Sequence, residues 1–261
     1  MTLDRELPNG PMGYAINSEN RDLMTDAGVD PVFMLRRAEE NKPKFNVQSN
    51  PMVLFDPLNQ QSQGACQGHS LAMMFVICYF LMTGRIEKFS RAAGYYLSQR
   101  KDGINGDRGS TLSGGMWVAT THGMCLEADW PYPDRYNPAE PQGLKYPFKL
   151  VAAKPTRDYE LISQALELGL PVQDGIIWDN SVSRTISTDY VGQGGGGHST
   201  TLWTKFGENF RRINSWGMWD GDGCNENTPK SLKKQVEHRY SSHIIYAPEG
   251  MIYPELNPVQ G

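Results

Sequence analysis

The chain is poor in the features that mark several large classes of protein. Only four of its 261 residues are cysteines, Cys66, Cys78, Cys125 and Cys224, and no two are spaced as CxxC. That excludes a disulfide-rich scaffold and a CxxC redox pair. A chain of this length buries enough apolar surface without staples, so none of the four is expected in a disulfide and the compartment is expected to be reducing. No apolar run reaches the ~20 residues of a membrane span. The longest covers 71–82 and is expected to be a buried helix. Met1-Thr2-Leu3-Asp4-Arg5-Glu6-Leu7-Pro8 places no apolar stretch behind a basic start, so no secretory signal is expected. Positive charge is scarce as well. Lys and Arg number 25 against 29 Asp and Glu, the net charge is −4, and like charges form no block. Neither a nucleic-acid partner nor a membrane surface is expected. Repeats are absent. The one low-complexity stretch is the four glycines at 194–197, with no Lys and Ser/Thr after them to make a phosphate loop.

What is present is an ordinary core, with 39% hydrophobic and 21% charged residues, so long disorder is not expected. The first 50 residues are polar, with one short helix predicted over 31–41, and read as an N-terminal extension. From Gly64 the pattern changes. Helices are predicted over the apolar run up to Gly84, over 89–100, over 113–122 stopped by Gly123, and over 159–168 ending at Gly169. Strands are predicted over 172–178, 199–206, 209–214 and 243–247. Helices first and strands later indicate an α+β chain, split near residue 150: a helical lobe over 51–150 and a β lobe over 151–261.

One set of side chains carries chemistry. Cys66 stands at the head of the apolar helix, in Asn59-Gln60-Gln61-Ser62-Gln63-Gly64-Ala65-Cys66-Gln67-Gly68-His69-Ser70. His198 stands in Gly196-Gly197-His198-Ser199, and Asn214 in Asn214-Ser215-Trp216-Gly217-Met218-Trp219-Asp220-Gly221. A cysteine nucleophile needs a base, and the base needs an orienting group, each supplied from distant sequence. A thiol is mostly protonated at neutral pH, and a helix start stabilises its thiolate. Cys66-x-x-His69 has no second pair at ligand spacing, so no metal site is expected.

These three blocks, in this order, resemble the papain-like cysteine peptidases. The stretch Glu127-Ala128-Asp129-Trp130-Pro131-Tyr132 behind Gly123 is similar to bacterial and phage members. His198 lies 132 residues after Cys66 and Asn214 lies 148 after it, inside that family's ~130–150 window. The resemblance implies a two-lobed α+β fold: a helical lobe and an antiparallel β-barrel-like lobe, with the active site in the cleft between them. It implies Cys66 as nucleophile, His198 as base, Asn214 as the group that orients the base, and Gln60 with the Cys66 N–H as oxyanion donors. Trp216 would cover the histidine. Gly109 and Ser110, in Asp107-Arg108-Gly109-Ser110, would pair with an extended peptide, and Gly197 and Trp219 would border the cleft. The reaction implied is hydrolysis of a peptide bond in a protein or peptide substrate through a Cys66 thioester, without a cofactor. With no signal peptide and no transmembrane segment expected, the expected location is cytoplasmic or virion-associated. This chain departs from the family at Gln67-Gly68-His69, where Trp-Ala-Phe is usual, and at Gly197, where Asp or Asn is common. Ser62 and Asp107 stand where relatives often carry a disulfide. Hydrolysis of another amide, such as a cell-wall peptide or isopeptide, stays open, as does an inactive scaffold used for binding.

Overall fold

The computed structural model describes residues 58–193, 196–248 and 251–254. The helix predicted over 31–41 and the N-terminal extension lie outside them. Among the described residues, five α-helices precede or flank one seven-stranded sheet. We number them α1 (Cys66–Thr83), α2 (Arg91–Asp102), α3 (Leu112–Trp117), α4 (Tyr159–Glu167) and α5 (Pro229–Glu237). The strands are β1 (Ala152–Thr156), β2 (Val172–Trp178), β3 (Ile186–Ser187), β4 (Gly196–Phe206), β5 (Asn209–Ile213), β6 (Cys224–Asn227) and β7 (Ser242–Ala247).

Helix α1 is apolar on every side, and it is buried on nearly every side, from Cys66 through Leu81. By length and composition it could cross a membrane, but its flanks are the core of the helical lobe. Gly84 closes it in the left-handed conformation, φ 72°. α2 crosses α1 at two glycines. A Cβ on Gly68 would lie 2.6 Å from Tyr95 N, and one on Gly94 would lie 2.8 Å from Gly68 O. Side chains at either position would force the helices apart. α3 runs into one turn of π-helix, Val118–His122, which ends at Gly123. Glu127 anchors the start of α2, accepting from Arg91 N at 3.0 Å and pairing with the Arg91 guanidinium at 2.6 Å.

The sheet runs β1-β7-β2-β4-β5-β6-β3. Every pairing is antiparallel except β3 on β6. One face presses on α1: Ser70 Oγ meets Ser199 Oγ at 2.7 Å, and Gln173 Nε2 donates to Ser70 Oγ at 2.8 Å and Gln67 O at 3.1 Å. On the other face Val172, Leu202, Phe210 and Ile245 pack with α4 and α5. The seam between helical lobe and sheet therefore mixes these polar contacts with apolar ones, since Trp203, Ile213, Ile244 and Tyr246 of the sheet join the core around α1. Segment 251–254 returns to the helical lobe, where Met251 joins its core and Ile252 pairs with Lys149.

Candidate active site

Cys66 is the first residue of α1, and no side chain caps that end of the helix. The first-turn N–H groups and the positive end of the helix dipole are left to act on the sulfur. Gly64 N–H, two residues upstream, donates to Asp107 Oδ1 at 2.8 Å, and Tyr95 OH donates to the same oxygen at 2.7 Å. A carboxylate thus clamps the entry loop at Asp107, where the resemblance implied half of a disulfide. No disulfide joins Cys66, Cys78, Cys125 or Cys224, and all four are buried.

β4 brings the second group. The N–H of Ser199 donates to Cys66 Sγ at 3.4 Å, so the peptide that follows His198 touches the sulfur. Side chains alternate along a strand. Ser199 therefore turns toward α1, and His198 turns to the face it shares with Asn214, just beyond β5. His198 Nε2 and Asn214 Oδ1 are 2.8 Å apart. Ser215 N–H donates to the same Oδ1 at 2.7 Å. The atom that accepts from Ser215 must be oxygen, so the amide cannot be reversed, and His198 Nε2 must carry the hydrogen. Nδ1 is then the basic nitrogen; it is buried and has no hydrogen-bond partner. Burial lowers His198 to about 4, against the raising effect of the Asn214 bond and of Asp174. In this enclosed conformation the imidazole is a neutral base.

Aromatic rings fix its plane. Trp216 stacks on His198 with centroids 4.6 Å apart and planes at 25°. Trp178 meets it edge-on at 4.8 Å, and Trp219 packs edge-on against both tryptophans. Trp216 is the ring that covers one face of the imidazole. Trp178 had no role in that reading. It lies on β2, where Ile176 is opposite His198 and Trp178 opposite Gly196, and only the register shows it.

Gln60 is tied to the third block. Its N–H donates to Ser215 O at 2.7 Å, its Oε1 accepts from Ser215 Oγ at 2.6 Å, and its Nε2 donates to Gln63 O at 2.9 Å. An amide nitrogen carries two hydrogens, and Gln63 O takes one. Ser215 was another residue without a role in the sequence reading, although it sits within the Asn-Ser-Trp-Gly block. The cleft residues divide. Ser110 Oγ donates to Gln67 Oε1 at 2.6 Å, one residue from Cys66. Gly109 uses its backbone internally: its N–H donates to Tyr95 OH at 3.3 Å and its carbonyl accepts from Gln99 Nε2 at 2.9 Å. Gly197 pairs with Ile177 on β2 beside the histidine. His69 packs edge-on against Tyr132 and binds Ala65 O through Nδ1 at 3.0 Å. Among the described residues no three His, Cys, Asp or Glu side chains converge as metal ligands.

The same arrangement of lobes occurs in solved structures. Xylellain, a cysteine protease from Xylella fastidiosa, matches with a TM-score of 0.66 at 20% identity, over 94% of this chain and 99% of its own. The fold is papain-like. A procathepsin B from Trypanosoma congolense matches at TM-score 0.58 and 16% identity, over 79% and 74% of the two chains. A Carica candamarcensis cysteine protease, solved in complex with E-64, matches at 0.57 and 15%, over 74% and 92%. No family model matches the sequence. Nor does the sequence of any curated protein match. At these identities the papain-like likeness is one of fold, and the chemistry has to be argued from the residues.

Proposed function

We propose that the protein is a cysteine peptidase that cleaves peptide bonds through a thioester on Cys66. One observation carries the reading: the imidazole of His198 is held by Asn214 in the tautomer that makes Nδ1 the base, and the peptide after it lies against Cys66 Sγ. The fold likeness to cysteine proteases supports it.

In the proposed reaction Cys66 Sγ attacks the carbonyl carbon while its proton passes to His198 Nδ1. The Cys66 N–H and the second Gln60 Nε2 hydrogen meet the oxyanion. The imidazolium is steadied through its Nε2–H on Asn214 and returns the Nδ1 proton to the leaving nitrogen. The C–N bond breaks and the thioester remains. Water then attacks with Nδ1 taking its proton, the C–S bond breaks, and the thiol re-forms. Ser110, bonded to the Gln67 side chain, and Gly197, beside His198, are the proposed contacts for an extended substrate, together with Gly109 and Trp219.

The test pairs labelling with turnover. At pH 6, iodoacetamide should modify Cys66 well before Cys125 and Cys224, whose thiols burial pushes up to about 12. The wild type should degrade an unfolded protein substrate, and Cys66→Ala should not while keeping its circular dichroism. Equal labelling of all four cysteines, or turnover that survives Cys66→Ala, defeats the proposal.

A further inference from the structure

The β lobe has a charged interior, and it adjoins the histidine. Arg212 of β5 and Asp174 of β2 are both wholly buried, with Nη2 2.5 Å from Oδ2. Every other arm of the guanidinium is used. Nε donates to Thr200 Oγ1 of β4 at 2.9 Å, Nη1 to Asn227 Oδ1 of β6 at 2.7 Å, and Nη2 also to Gln235 Oε1 of α5 at 2.5 Å. One side chain thus ties its own strand to three others and a helix.

Stability alone does not account for it. A buried ion pair is often matched or exceeded by apolar residues of the same volume. This network also leaves buried polar atoms without partners: Asp174 Oδ1, Asn227 Nδ2 and both ring nitrogens of His243. Its placement is more informative. Thr200 is two residues beyond His198 on the same face of β4, and Asp174 lies opposite it. Arg212 is two residues before Asn214. The ring of Trp178 spans the gap, 5.9 Å from Arg212 and edge-on to His198 at 4.8 Å.

We propose that Arg212, paired with Asp174, is a positioning residue for the His198–Asn214 couple. It locks β2, β4 and β5 in the register that presents the imidazole, and the balance of the two charges sets the field in which that ring takes up and releases its proton. The proposal rests on the reading of Cys66 and His198 as the reacting pair. Asp174 favours the imidazolium and Arg212 opposes it. The other ionisable groups facing this cluster are Cys66 and His69 from α1, His243 from β7, and Tyr190 from the loop before β4. Burial holds His243 at about 4 and His69 at about 3, and it pushes the Tyr190 phenol up. Arg157 acts on His243 and Arg91 on His69. Among the described residues Asp174 is the carboxylate that acts on His198, and Asp179 acts on Tyr190.

The experiment measures Cys66 alkylation by iodoacetamide in the full chain from pH 4 to 10, a readout that needs no substrate, together with the kcat and KM of the wild type's best peptide. Asp174→Asn keeps the shape and an acceptor for Arg212. It should move the limb governed by the imidazolium to lower pH by about half a unit or more. The double variant Asp174→Leu/Arg212→Met removes both charges at similar volume and so should fold. It should leave that limb near its wild-type pH and lower kcat by on the order of tenfold with KM kept, through loss of positioning. Circular dichroism and melting check both variants. A folded Asp174→Asn with the wild-type profile, or a folded double variant with full kcat, overturns the proposal. A wild-type Cys66 no more reactive than the other cysteines defeats the underlying peptidase reading instead.

Discussion

Asn214 Oδ1 accepts two hydrogen bonds, one from His198 and one from the N–H of Ser215, and the second makes the first unambiguous. Asn214→Ala should therefore lower kcat less than His198→Ala, because it frees the ring to turn without removing the base. Gln60→Ala should lower kcat by on the order of 10²–10³, the usual loss for one oxyanion donor. Full activity in Gln60→Ala, measured on the same peptide, would take that amide out of the mechanism. Cys66, Gln60, His198 and Asn214 could be named as candidates from the sequence because each sits in a short block whose neighbours are distinctive. Trp178 was not, since a tryptophan ending an apolar strand has the signature of core, and only pairing with β4 brings it to the imidazole. Arg212 was illegible for a related reason. In Asn209-Phe210-Arg211-Arg212 a charged residue suggests solvent, yet Arg212 is wholly buried because four acceptors surround its guanidinium.

The α1–α2 crossing explains a residue that sequence comparison marks only as a departure. Gly68 follows Cys66 by two because the backbone of Tyr95 lies where its Cβ would be. Gly68→Ala should cost about 1–3 kcal/mol, the range for overpacking a tight core, read as a lower urea midpoint. It should also slow Cys66 alkylation, since the first turn of α1 moves with the crossing. A wild-type midpoint would mean that α2 yields freely. The long helices and the inner strands β2, β4, β5 and β7 were legible from apolar patterning and from the glycines that end the helices. β1 was missed because Pro155 reads as a strand breaker, though an edge strand tolerates it. β6, Cys224-Asn225-Glu226-Asn227, was missed because its buried residues are polar: Asn227 binds Arg212, and Asn225 Nδ2 donates to Val182 O at 2.7 Å. α5 carried a signal that went unread, the Thr228 cap followed by Pro229.

For the molecule as a whole, three histidines stand buried and neutral: His69 at about 3, His198 at about 4 and His243 at about 4, each lowered first by burial. Unfolded, they titrate near 6.5. Below that pH the unfolded chain binds protons that the folded chain does not, so this stability is present above pH 6.5 and is lost as the pH falls toward 4. Each contributes a slope of about 1.4 kcal/mol per pH unit, or about 4 for the three together. The melting temperature should fall steeply between pH 6.5 and 4.5; a flat profile across that interval would mean that water reaches these rings. The enclosure that keeps His198 neutral also covers the nucleophile, for Cys66 and His198 are both 0% exposed. In this conformation peroxide has no path to the sulfur, and the first step of thiol oxidation, to sulfenic acid, is closed to it. Any opening that admits iodoacetamide or a substrate admits peroxide as well, so alkylation and oxidation of Cys66 should share one opening step.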